Sequence, residues 1–237
     1  MNRVTFMAVV TVLGLFGFVV FSSIYNSIQD ANSKKELEQQ GFLFLDNGLG
    51  IEIYSNHEGK VTKRQAAVIA GLNAQITWVD FSGSALEDGV CEGISSILSL
   101  EQLNLSGTNV SSKCIKQFRN CKNLRGLDLR RLSITDETME FITSFQNLRQ
   151  LSVDLTPISN TGIESLTKLP KLRYLAFAGC EQIDVESLIP ILARMKWLEF
   201  VVLPDFGFTE SEKTEIIAKL ASKGIGARFD KEDEIIR

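Results

Sequence analysis

The chain has 237 residues, a formal net charge of -4 and a pI near 5.2, which excludes the basic excess that a nucleic-acid-binding protein carries. One histidine and four cysteines leave little material for metal or nucleophile chemistry. The length suits one or two domains.

Met1, Asn2 and Arg3 open the chain, and no further charge appears before Asp30. Val4 to Ile24 is a run of 21 residues, enough to cross a hydrocarbon core, which needs about 20. A charge-free run ahead of a self-sufficient domain has no soluble core to enter. A cleaved signal peptide wants an apolar stretch of only about 7 to 15 residues, and the best cut, after Ser22 with Val20 two before it, is only passable. Length therefore favours an uncleaved transmembrane signal anchor over a cleaved signal peptide. Arg3 before the span and Lys34 with Lys35 after it nearly balance. The general habit of short N-terminal anchors then puts residues 1–3 in the cytoplasm and exports the chain beyond the span.

Residues 25–50 read as a polar, helix-prone spacer, SIQDANSKKELEQQ, and the start of a hairpin, GFLFLDNGLGIEIY, turning at Asp46, Asn47 and Gly48. Such a hairpin would close the first edge of the main domain, residues 51–221. Ile51 to Gln75 is a degenerate unit whose clearest part is a helix, Thr62 to Leu72, with Thr62 and Gln65 in capping-box spacing. Ile76, Val79 and Phe81 then open a pattern that returns from Leu100, Leu124, Leu148 and Leu172, a period of 24 residues. The next unit is stretched to 26 and leads to Leu198, Val201 and Leu203. Thr209 and Glu212 make a second capping box, and residues 222–237 are a C-terminal cap ending in an acidic tail.

Within one unit, Leu127 and Leu129 are two apart and share one face of a short strand, while Asp128 points to the other. Thr135 is placed to cap a helix, on which Met139, Ile142 and Phe145 form one buried stripe. A strand, turn and helix this small cannot bury its own apolar face, so successive units must stack.

The form L-x-x-L-x-L with a second apolar cluster, repeated every 24 residues, resembles the leucine-rich repeat family in its bacterial type. The resemblance implies an α/β solenoid, a right-handed leucine-rich-repeat coil with a parallel β-sheet on its concave face and short helices on the convex one. It also implies that the concave face is the binding surface, for proteins most often.

In that register Cys91 and Cys121 replace Met139 and Phe145 as small core residues, Cys114 replaces Gly162, and Cys180 lies in a turn. Cys114 and Cys121 are about 10.5 Å apart along one helix, beyond a bridge, and the others come from different layers or distant repeats. Four buried free thiols are expected. His57 sits in the loop SNHEGK without a nucleophile constellation, and a solvated loop histidine is the better reading. No metal, phosphate or redox motif appears. Asp46, Asn47 and Gly48 lack the later ligands of a calcium loop. No catalytic residue, metal ligand or cofactor is assigned, and no small-molecule substrate is evident.

Stacking sets equivalent residues about 4.8 Å apart in rows. One row reads Trp78, Gln102, Gly126, Gln150, Tyr174, Phe200, and its neighbour Asp80, Asn104, Asp128, Ser152, Ala176, Val202. The face is thus expected to run from polar and acidic to apolar and aromatic. Either Tyr174 and Phe200 form an open interaction patch or the segment GIGARFD covers them. A third row, Arg125, Arg149 and Arg173, flanked by Glu101 and Glu199, follows the rim. It either grips an acidic or phosphate-bearing partner or is a solvated ladder with Asp128 and Asp154 as counter-charges. The candidate binding residues are therefore Arg125, Arg149, Arg173, Trp78, Asp80, Asn104, Asp128, Tyr174 and Phe200. The sequence reads as a membrane-anchored, non-catalytic protein-binding module of the cell envelope. A docking subunit of an envelope enzyme and a spacer without ligand are the alternatives.

Overall fold

The computed structural model describes residues 29–56, 59–72, 75–87 and 89–230. The predicted span Val4 to Ile24, His57 and the acidic tail beyond Asp230 lie outside the described residues. Among those described, no helix is long and apolar enough to cross a membrane.

In chain order the strands are β1 (Leu43–Asp46), β2 (Ile51–Tyr54), β3 (Lys60–Val61), β4 (Ile76–Asp80), β5 (Ala85–Leu86), β6 (Gln102–Asn104), β7 (Gly126–Asp128), β8 (Gln150–Ser152), β9 (Tyr174–Ala176), β10 (Phe200–Pro204) and β11 (Gly226–Asp230). All but β3 and β5 join one sheet in the order β1-β2-β4-β6-β7-β8-β9-β10-β11. Among the described residues of this sheet, only the β1–β2 pair is antiparallel. Its turn is built as the sequence suggests: Gly48 is left-handed, and Asp46 Oδ1 and Asn47 Oδ1 accept from the Gly48 and Leu49 amides.

The helices that return the chain are α1 (residues 29–39), α2 (Lys63–Ala70), α3 (Val90–Ile94), α4 (Ser112–Ile115), α5 (Asp136–Ile142), α6 (Asn160–Ser165), α7 (Val185–Leu192) and α8 (Glu210–Ala221). Both expected capping boxes form, Thr62 with Gln65 and Thr209 with Glu212. Thr135 stands at the N-cap of α5 but its side chain makes no capping bond there.

Every strand puts alternate residues inward, so Val79, Leu103, Leu127, Leu151, Leu175 and Val201 form one buried row and Phe81, Leu105, Leu129, Val153, Phe177 and Leu203 the next. Met139, Ile142 and Phe145 meet them from the helical side. Each such side chain contributes about 1.5 to 3 kcal/mol relative to exposure. The segment read as a spacer has a further part: Leu37 on α1 is buried in the core with Phe42 and Phe44, so helix and hairpin together close the first end. At the other end α8 supplies Ile216 and Leu220.

One backbone position recurs after each strand. Gly83, Gly107, Arg131, Leu155 and Gly179 all have φ between 57° and 68°, the left-handed region, and the amides of the first four donate to the next repeat at 2.8 to 2.9 Å. Three are glycines, and the other two residues accept a conformation that costs an L-residue about 1 to 2 kcal/mol. The bond to the neighbouring repeat holds them there.

The expectation of four free thiols is overturned: Cys91 on α3 and Cys114 on α4 form a disulfide, with Cα atoms 5.4 Å apart. Reading each repeat by itself hid the pair. Cys91 has the place of Met139 and Cys114 that of Gly162, and those two places face each other across neighbouring repeats, since a Cβ on Gly162 would lie 3.0 Å from Met139 Cγ. Cys121 and Cys180 are free and buried, as expected, and burial pushes each thiol up to about 11. Denatured, unreduced protein should therefore take up alkylating reagent at two cysteines, and four only after reduction. Opening the 23-residue separation by Cys91→Ser with Cys114→Ser should lower stability by about 3 kcal/mol, measured by denaturant unfolding.

Candidate functional site

The outward rows of the sheet are longer than the repeats alone suggest, because β1, β2 and β11 take part. Strand pairing places Leu45, Glu52, Trp78, Gln102, Gly126, Gln150, Tyr174, Phe200 and Gly226 in one row. The neighbouring row is Leu43, Tyr54, Asp80, Asn104, Asp128, Ser152, Ala176, Val202 and Arg228.

The expected gradient from a polar first end to an apolar last end is thus corrected. Leu43 and Leu45 remain 53% and 44% exposed beside the paired rings of Tyr54 and Trp78, whose centroids lie 6.0 Å apart. Partial burial, helped by the hydrogen bond to Glu52, pushes the Tyr54 hydroxyl up to about 12. The face is apolar at both ends and polar in the middle.

The three candidate polar residues on the sheet face, Asp80, Asn104 and Asp128, are occupied within the protein. Asp80 accepts from the Ser82 amide and from Asn104 Nδ2 at 2.8 and 3.0 Å, and Asn104 Oδ1 accepts from the Ser106 amide at 3.0 Å. Asp128 takes the Arg130 amide and its guanidinium, with the Nε at 2.9 and 3.0 Å from the two carboxylate oxygens. These side chains build the turns at the strand ends. What stays open between them is a hollow of about 160 Å³ around Gly126, reaching from Trp78 to Gln150 and Ser152.

At the far end Tyr174 and Phe200 stack, their centroids 6.0 Å apart and planes 3° from parallel, over a floor of Ala176, Ala178 and Val202. The segment GIGARFD joins the sheet as β11. It sets Gly226 beside Phe200, whose Cδ2 would lie 2.8 Å from a Cβ there, so both rings stay half-buried.

Along the rim, Arg125 pairs with Glu101 and Arg173 with Glu199, each at 2.7 Å. The expected counter-charges Asp128 and Asp154 are engaged elsewhere, the one by Arg130 and the other by the Ala178 amide at 2.7 Å. Among the described residues Arg149 makes no ion pair, and its side chain is exposed.

Asp154 was legible only as a counter-charge, yet it is buried, and burial pushes its carboxyl up to about 6. The Ala178 amide and Arg130 pull it back, while Asp128 and Asp230 add to the rise. Nothing in the linear pattern marks it, since it falls where other repeats carry Ser82 and Ser106. The folded state holds the proton more tightly than the unfolded chain, so this group's favourable contribution is complete below pH 4 and is lost as pH rises towards 6. Asp154→Asn keeps a carbonyl for Ala178. It should raise stability at pH 7 by about 1 to 3 kcal/mol and flatten its fall between pH 4 and 6. Urea unfolding across that range measures both; a loss of stability at pH 7 would mean that the ionised form is favoured there.

The recurring strand, turn and helix, the 24-residue register and the parallel outward face build an α/β solenoid of stacked repeats, the architecture that the resemblance to leucine-rich repeats implies. No protein-family model matches the chain, and no curated protein matches it. Among solved structures it is similar to an internalin (InlF) from Listeria monocytogenes, at 13% identity and a TM-score of 0.45, over 72% of this chain and 53% of that one. It is also similar to TLR13 in a complex with ssRNA13, at 20% identity and a TM-score of 0.44, over 61% of this chain and 20% of that one. The architecture stands on the register and the sheet themselves.

Proposed function

We propose that this chain is a non-catalytic binding module that takes a protein partner on its concave sheet face, held at the cell envelope by the span Val4 to Ile24 with the repeat domain exported. The observation that carries the reading is the pair Leu43 and Leu45, two leucines held half-exposed on a regular strand next to Tyr54 and Trp78. Apolar surface kept open beside aromatic rings and rimmed by polar groups marks an interaction site. The disulfide between Cys91 and Cys114 supports export, because such bridges persist in oxidising compartments.

The rim arginines contribute less. Glu101 and Glu199 already answer two of the three, and exposed pairs of this kind contribute about 0 to 1 kcal/mol.

Cross-linking and capture from solubilised membranes with the full chain should yield a stoichiometric partner. Leu43→Asp with Leu45→Asp should lose it at an unchanged unfolding midpoint, because both side chains face solvent. Arg149→Gln should keep it. A partner retained by the first variant and lost by the second would replace the concave face with the rim.

The anchor is tested separately. The full-length product should stay with membranes through alkaline carbonate washing and begin at Met1 or Asn2 by mass. A soluble product starting near Ser23 would make the protein secreted.

A further inference from the structure

We infer that the hollow at Gly126 reads the main chain of an extended, uncharged peptide segment; this deepens the concave-face reading and rests on it. The polar groups of the hollow divide into those already bonded within the protein and those that are not. Asp80, Asn104 and Asp128 are the side chains that would grip the hydroxyls of a sugar or a basic side chain. Their oxygens are taken by Ser82, Ser106 and Arg130, and Asn104 donates to Asp80.

Among the described residues, the side chains of Gln102, Gln150 and Ser152 have no partner, while Trp78 Nε1 is buried and out of a ligand's reach. The free set is therefore two primary amides and one hydroxyl, all neutral. A primary amide offers a donor and an acceptor side by side, the complement of a peptide group, and a hydroxyl can answer either half of one. An anionic ligand group placed there would give up its hydration beside the carboxylates of Asp80 and Asp128, and a cationic one would have to compete with Arg130 for Asp128.

Shape agrees with chemistry. Gln102 and Gln150 flank β7 on either side, about 9.6 Å apart across two strand spacings. Between them Gly126 offers no side chain, and the Gln102 amide lies against it: a Cβ on Gly126 would fall on Gln102 Oε1. A chain crossing the sheet here can lower one small side chain onto Gly126 once the flexible Gln102 amide swings aside to pair with a peptide group, while Gln150 pairs with one on the other side. Leu43 and Leu45 lie further along the same rows and would hold an apolar residue of that chain.

Gly126 also supplies a clean test. Its φ lies outside the left-handed region, and what an added side chain meets first is the far end of a flexible glutamine, so Gly126→Val fills the hollow while leaving the fold intact. A phage-displayed library of random linear dodecapeptides would be selected on the full chain in detergent micelles, with a glycan array probed in parallel. Peptides with uncharged centres should be enriched. A synthetic copy should bind at least about tenfold more weakly to Gly126→Val, and to Gln102→Leu with Gln150→Leu, at unchanged unfolding midpoints, and equally to Arg149→Gln.

No enrichment, binding to glycans alone, or acidic peptides that depend on Arg149 would overturn the inference. Peptides lost by Leu43→Asp with Leu45→Asp but kept by Gly126→Val would overturn the hollow and leave the concave face standing. Peptides indifferent to both would overturn the two together.

Discussion

The structure depends on hydrogen bonding between neighbouring repeats in a fixed register. A strand of three residues and a helix of four to eight cannot persist in isolation, since such short helices are unstable in water and a lone strand has no partner. Each unit borrows both from its neighbours: amides donate to the following repeat along the strand and on through the left-handed turn residue, from Leu105 to Asp128 and from Gly107 to Arg130. The inward leucines then fall into line without further instruction. The stack also enforces backbone choices that the local sequence resists, as at Arg131 and Leu155.

The same constraint makes the outward face modular. Where the inward positions have no freedom, the outward ones are free to vary strand by strand. This chain uses that freedom to set leucines and aromatic rings at one end, amides around a bare glycine in the middle, and a second aromatic pair over small residues at the other. Helix-to-helix ion pairs, Lys116 with Glu137, Lys168 with Glu140 and Arg194 with Glu164, decorate the convex side between neighbours. They sit in solvent and add little to the stack.

Much of this was legible because the repeat is a period, and periods survive in a linear string. The strands, the buried rows, the capping hairpin and both capping boxes followed from spacing alone. The failures came from relations between repeats. Cys91 and Cys114 look distant until one asks which helix positions touch across the gap; Asp128 reads as a counter-charge to the rim until Arg130 claims it. The concave rows could be read from Trp78 onward, but Leu43 and Leu45 joined them only through the hairpin, where an antiparallel partner has no place in a 24-residue count. That Asp80 and Asn104 are spent on turns is a matter of side-chain direction, which composition does not carry.

The disulfide bears on how such an array comes apart. In a linear stack each unit is held by two neighbours, and opening proceeds from whichever end has the weaker step. A covalent link between α3 and α4 removes the step between those two repeats from that competition. Fraying that starts at α8 and β11 then stops at α4, and fraying that starts at the hairpin stops at α3. Trp78 on β4 and Gln102 on β6 belong to the two repeats so joined, and they keep their places when either end breathes.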